Sequence, residues 1–145
     1  MVKGRFVRVA AAVVAVALAG IGIADAETPA AIAGIYEAAA RQASPAFAGF
    51  SAERGRAFFQ STHGGDWSCS SCHTQNPLAQ GRHAKTGKTI APLAPAANRE
   101  RFTSLAEAEK WFKRNCNDVM ARACSPQEKG DVLAYLMQLG REVAR

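Results

Sequence analysis

Strand signals are the first thing missing from this chain of 145 residues. No segment alternates polar and apolar residues over the length of a strand or concentrates β-branched residues as a strand would. That absence excludes sheet-built folds, including the βαβ setting in which a Cys-x-x-Cys pair acts as a thioredoxin-like redox centre. Blocks of like charge are missing too. The 18 lysines and arginines and 12 acidic residues are scattered, so the net charge of +6 describes a soluble surface with a mild positive bias. Nucleic-acid binding is disfavoured on that pattern, although docking to an acidic partner is compatible with it. No internal repeat is visible. Cysteine is sparse, with four in all.

A long apolar run is present only near the start, from Val9 to Ile23, and it is shorter than the roughly 20 residues that cross a bilayer. Lys3, Arg5 and Arg8 precede it and Ala24-Asp25-Ala26 follows, a small-x-small cleavage pattern. The expectation is an export signal over residues 1–26, cleaved after Ala26, and a periplasmic domain over residues 27–145 with no remaining membrane attachment. An uncleaved anchor is the alternative. The mature chain would have 119 residues, 15 basic and 11 acidic, for a net charge of +4. That length suits one small domain with one core.

The chemistry concentrates in Cys69-Ser70-Ser71-Cys72-His73. Two cysteines three apart, with histidine next, have the spacing of a c-type haem attachment site. One tight turn brings two thiols to the two vinyl groups of a porphyrin edge and swings His73 beneath the ring, where neutral imidazole suits iron. A zinc site would need a further ligand, from His63, His83, Cys116 or Cys124. If Cys69 and Cys72 hold haem, Cys116 and Cys124 remain as an even pair. In an exported chain they read as a disulfide, with two buried free thiols as the alternative.

Helical periodicity frames this motif. Thr28-Pro29 opens a helix to about Gln42, with Ile32, Ile35 and Tyr36 at helical spacing, and Ser44-Pro45 stops it. A second helix runs from Ser51 to about Gln60. Gly55 and Phe59 share a face of it, and the glycine marks either a close helix crossing or a tolerated surface position. From Thr74 to Asn98 the period is lost, and Lys85-Thr86-Gly87-Lys88 reads as a turn. So long an irregular segment in a small domain implies that it wraps something, and a haem edge fits.

Periodicity returns at Phe102. Ser104 and Glu107 form a capping box, and Leu105, Ala108, Trp111 and Phe112 an apolar face that Asn115 continues near the helix end. An asparagine there is either a backbone cap or a polar group that needs another partner. Ser125-Pro126-Gln127-Glu128 opens a last helix carrying Val132, Leu133, Tyr135, Leu136 and Leu139. The reading is an all-α fold of about four helices around one irregular loop.

These features resemble a class I monohaem cytochrome c. The resemblance implies a packed pair formed by the helix of Gly55 and Phe59 and the terminal helix of Tyr135. It also implies a proline carbonyl, at Pro92 beside Leu93, that holds the second nitrogen of His73. Over most of the mature chain the sequence is similar to the oxygen-binding SHP (sphaeroides haem protein) group. The likeness lies in Ala52-Glu53-Arg54-Gly55-Arg56-Ala57-Phe58, Thr86-Gly87-Lys88-Thr89-Ile90-Ala91-Pro92-Leu93-Ala94-Pro95, Glu109-Lys110-Trp111, Arg114-Asn115-Cys116-Asn117 and Glu128-Lys129. It departs at the N-terminus and over Thr74 to Ala84. The resemblance implies one covalent haem c with iron, Asn115 as the distal ligand of the oxidised state, a Cys116–Cys124 disulfide on the ligand-bearing loop, and Trp111 near the haem.

Three functions follow in order of preference. A carboxamide oxygen is a hard donor that holds ferric iron better than ferrous iron, so reduction would release Asn115 and admit a diatomic ligand, oxygen or nitric oxide. If Met120 binds instead, the chain is a plain electron carrier. His83 ranks third as distal ligand, ahead of His63, which precedes the motif. A small haem reductase comes last, because no distal histidine–arginine pair can be placed as a proton donor. The resemblance also implies another cytochrome as electron donor, a dihaem one among the candidates.

Overall fold

Every long helix begins where a capping hydroxyl stands. The computed structural model describes residues 27–144; the expected export signal lies outside them. Thr28 caps α1 (Pro29–Ala43), Ser51 caps α2 (Ala52–Gln60), Ser104 caps α4 (Leu105–Met120) and Ser125 caps α5 (Pro126–Val143). Each accepts a backbone amide from the first turn, which would otherwise lack a partner. At Ser125 the box is complete: its own amide donates to Glu128 at 2.7 Å. At Ser104 only half forms. Glu107 turns instead to Lys110, 3.1 Å away, and the Leu105 amide donates to the carboxylate of Glu27.

Three further differences from expectation have local causes. The Cys-x-x-Cys-His segment is itself one helical turn, α3 (Cys69–His73), which makes five helices among the described residues rather than about four. The Lys85 to Lys88 turn closes a short antiparallel hairpin, β1 (Gly81–Arg82) with β2 (Thr89–Ile90). Helix α4 runs five residues past Asn115 to Met120 and ends at Ala121, whose φ of 55° and ψ of 24° give a left-handed cap. Asn115 is therefore inside a helix and not at its end.

Helix α5 is the centre of the molecule. Phe59 of α2 packs with Val132, Tyr135, Leu136 and Ala94 in one cluster, and Ile32 and Tyr36 of α1 pack with Leu133 in another. Phe102 and Phe112 lie against both. Gly55 decides the α2–α5 crossing, since a Cβ there would overlap the backbone carbonyl of Asp131. The glycine is thus a close crossing and not a tolerated surface residue. Asp131 ties the same joint, accepting from the Ser51 amide at 2.7 Å and from Arg54 Nε at 2.8 Å. Its carboxylate is buried, and the paired guanidinium and amide offset the cost of burying that charge. Among the described residues, no helix is long and apolar enough to cross a membrane.

Candidate haem site

Serines build the turn that carries the two thiols. The Ser68 amide donates to Ser71 Oγ at 3.0 Å while the Ser71 amide donates to Ser68 Oγ at 3.1 Å, a reciprocal cap on a helix of five residues. Ser70 joins them at 2.8 Å through its own hydroxyl. Cys69, Cys72 and His73 therefore leave one pre-set turn. Neither thiol is in a disulfide, and both are partly buried. Burial, with Cys72 adding to it, pushes the Cys69 thiol up to about 11.

His73 faces the core and lies 6.4 Å, ring centre to ring centre, from Phe59. Burial first, and then the charge of Arg101, lower its pKa to about 4, so the imidazole is neutral and a competent metal donor at neutral pH. The irregular loop closes over this region: the Leu93 and Ala94 amides both donate to the Pro77 carbonyl at 3.0 Å. Leu78, Leu93 and Cys69 all pack against the apolar cluster of Phe59 and Ala94. Pro92 has two donors on its carbonyl, Arg101 Nε at 3.1 Å and Asn98 Nδ2 at 3.3 Å. Among the described residues, no hydrogen bond joins that carbonyl to His73, the partner that resemblance implied. Arg101 and Asn98 occupy its lone pairs instead, and nothing in the sequence pattern marks either residue.

The other candidates lie on α4 and the loops. Trp111 is 43% exposed, with Lys110 Nζ and the Arg114 guanidinium each 5.7 Å from the ring centre. Asn115 is one turn further on the same side, half-buried, and its carboxamide forms no hydrogen bond among the described residues. Met120 is five residues on, about 140° around the helix axis at 100° per residue, so the two do not share a face. Gly65 meets the backbone carbonyl of Val119 so closely that a Cβ would lie 3.2 Å from it, which brings the end of α4 against the loop leading to α3. His83 and His63 both have local partners. His83 Nδ1 accepts the Lys85 and Thr86 amides at 3.3 Å each, and His63 Nε2 pairs with the Phe58 carbonyl at 2.9 Å.

Cys116 and Cys124 form a disulfide, their Cα atoms 5.7 Å apart, which joins α4 to the start of α5. The free-thiol alternative is thereby removed. The disulfide also takes two donors from any zinc site, and no group of three or more histidine, cysteine, aspartate or glutamate residues is assembled among the described residues. Two unpaired thiols on one turn, a neutral imidazole beside them and an apolar cluster suit a covalently held haem.

A family model described as a domain of unknown function, DUF1924, matches residues 45–136. The chain is 48% identical to the cytochrome c-type protein SHP of Cereibacter sphaeroides, covering 82% of this chain and 90% of that one. It belongs to the DUF1924 family of c-type cytochromes.

This cytochrome is also 40% identical to cytochrome c'' of Methylophilus methylotrophus, over 70% of its own length and 74% of that protein's. Among solved structures it matches oxidised SHP, described as an oxygen-binding cytochrome c, with a TM-score of 0.68 and 47% identity, covering 77% of this chain and 96% of the other. It matches the solution structure of cytochrome c'', a study of haem-ligand detachment in that protein, with a TM-score of 0.68 and 37% identity over 77% and 94% of the two chains. The all-α cytochrome fold is thereby established, and the cofactor is a single covalent haem c with iron.

Proposed function

We propose that Cys69 and Cys72 carry the two thioether links, that His73 is the proximal ligand, and that Asn115 is the distal ligand of the oxidised state and lets go on reduction. A haem held there would supply a redox-active iron. The residues supply the rest: α3 sets two thiols and an imidazole on one turn, and Asn115 offers a hard oxygen that ferrous iron holds weakly. Its departure leaves room for a diatomic ligand, oxygen or nitric oxide. Likeness to an oxygen-binding cytochrome c and to one whose haem ligand detaches supports this reading. The observation that carries it is local. Helix α4 passes through Asn115 and is capped at Ala121, so the carboxamide is not used as a backbone cap and forms no hydrogen bond among the described residues. The Cys116–Cys124 disulfide, next in sequence, keeps a released Asn115 near enough to rebind.

We further assign residues 1–26 to a cleaved export signal, the mature domain to the periplasm, and electron supply to another cytochrome. The test is visible and resonance Raman spectroscopy of the ferric and ferrous holoprotein. Asn115→Ala is expected to abolish the native ferric ligation while Met120→Ala leaves it intact. Loss of that ligation only in Met120→Ala would make the protein a plain His/Met electron carrier. Unchanged six-coordinate iron in the ferrous, ligand-free wild type would overturn the release step.

A further inference from the structure

From Trp67 to Arg99 the chain contains no aspartate or glutamate. Its basic residues there are Arg82, Lys85, Lys88 and Arg99, and the first three stand on the single hairpin Gly81–Ile90, all exposed. Elsewhere carboxylates are interspersed with the cations. Arg41, Arg54, Lys110, Arg122 and Lys129 each pair with a carboxylate, whereas none of the hairpin cations forms an ion pair among the described residues. Cations without an ion pair among the described residues also stand on the helices, Arg56, Lys113, Arg114 and Arg141 among them. Those helices carry carboxylates as well, Glu53, Glu107, Glu109, Asp118 and Glu142, and the hairpin carries none.

The hairpin is also held firmly, and held in one place. Gly81 lies so close to the Cys72 carbonyl that any Cβ would overlap it, and the Ala84 amide donates to Cys72 Sγ at 3.3 Å. At the tip, the His83 amide donates to the Lys88 carbonyl and the Gly87 amide to the His83 carbonyl, both at 2.8 Å. His83 Nδ1, accepting from Lys85 and Thr86, fills the inside of the turn. Three unneutralised cations therefore stand on a braced turn directly beside Cys72.

We propose that this hairpin docks the acidic face of a second redox protein, so that one electron enters at the Cys72 edge of the haem. The donor's centre is oxidised by one electron and the ferric iron of this chain is reduced by one. This rests on Cys72 being a haem attachment point, the reading proposed above. Charge complementarity names the partner's chemistry, because unpaired cations steer and orient a negative surface at long range. The location selects a redox protein over other polyanions: the charge sits at the cofactor's tether and not on a remote face.

The test compares the ferric holoprotein with its Lys85→Glu/Lys88→Glu variant in stopped flow. Reduced flavodoxin is the acidic protein donor, and hexaammineruthenium(II), a small cation, reports intrinsic reducibility. At low ionic strength the flavodoxin rate is expected to fall about tenfold in the variant, and the wild-type rate to fall as salt is added. The ruthenium rate should not fall. Equal flavodoxin rates in the two proteins would overturn the proposal. So would an equal loss with both donors, which would mean that the hairpin only supports the site. Binding to phosphatidylglycerol vesicles that the variant loses, with both rates unchanged, would assign the hairpin to lipid and also overturn it. Haem content and the ferric spectrum, read on the same samples, are expected to be identical; if the wild type itself lacks covalent haem, the attachment reading fails and not the docking charge.

Discussion

Around the proposed proximal ligand, the residue with most leverage is one that no sequence motif marks. Arg101 donates through Nε to the Pro92 carbonyl at 3.1 Å and through Nη2 to the Ala91 carbonyl at 3.1 Å, and its charge bears on His73. It clamps the loop and places a fixed cation on the proximal side. A cation there disfavours the ferric state, which carries one more positive charge than the ferrous. Arg101→Gln is therefore expected to lower the midpoint potential in a redox titration. Arg101→Lys should restore much of the potential, although it cannot reproduce the two-carbonyl clamp. A potential unchanged in both variants would reduce Arg101 to a structural loop anchor. No periodicity or motif distinguishes this arginine from its neighbour Arg99; only its contacts do. Asn98 is equally silent in the sequence. By contrast, Cys69, Cys72 and His73 are legible at once, because covalent attachment needs a fixed short spacing.

At the scale of elements, the α2–α5 crossing offers a case in which two effects oppose each other. Helix propensity favours alanine over glycine by about 1 kcal/mol. A Cβ at Gly55, however, would run into the Asp131 backbone, which cannot swing aside as a side chain would. Overpacking of a tight core costs about 1–3 kcal/mol, so Gly55→Ala should destabilise the holoprotein in urea unfolding despite the better propensity. An increase in stability would show that the two helices can separate at little cost. The helix starts themselves were readable from capping residues, to within a residue or two. Their ends were less so. The periodic pattern of α4 fades after Phe112, yet the helix continues to Met120 because the disulfide and the contact with Gly65 hold its last turn. Ser104 shows the same limit in reverse: its expected box is half made, since the Glu107 carboxylate pairs with Lys110 rather than with the Ser104 amide.

For the whole molecule, the design is a three-helix frame, α1 and α2 laid on α5, with one long loop and one stapled loop attached. The staple joins Cys116 to Cys124, eight residues on. Closing so short a loop contributes on the order of 2–3 kcal/mol by restricting the unfolded chain. Replacing both cysteines by serine is expected to lower unfolding stability by about that amount and, under the proposed ligand release, to slow rebinding after reoxidation. Within the staple, Arg122 pairs with Glu128 at 2.6 Å, and this hydrogen bond above all holds the Glu128 carboxyl below its ordinary value. A thermal melt in which the double serine variant matches the wild type would show that this pair and the Ser125 box hold the loop unaided.

The sequence by itself determined the all-helical class, the four capped helix starts, the covalent haem motif and the even pair of remaining cysteines. Each is encoded by residues close together in the chain, where capping, periodicity and thiol spacing act over a few positions. Tertiary structure alone decided that Gly55 is a crossing, that Asp131 ties α2 to α5, that Arg101 and Asn98 take the Pro92 carbonyl, and that the hairpin cations gather beside Cys72. Those facts join residues from 6 to 80 positions apart, and only packing sets which of them meet.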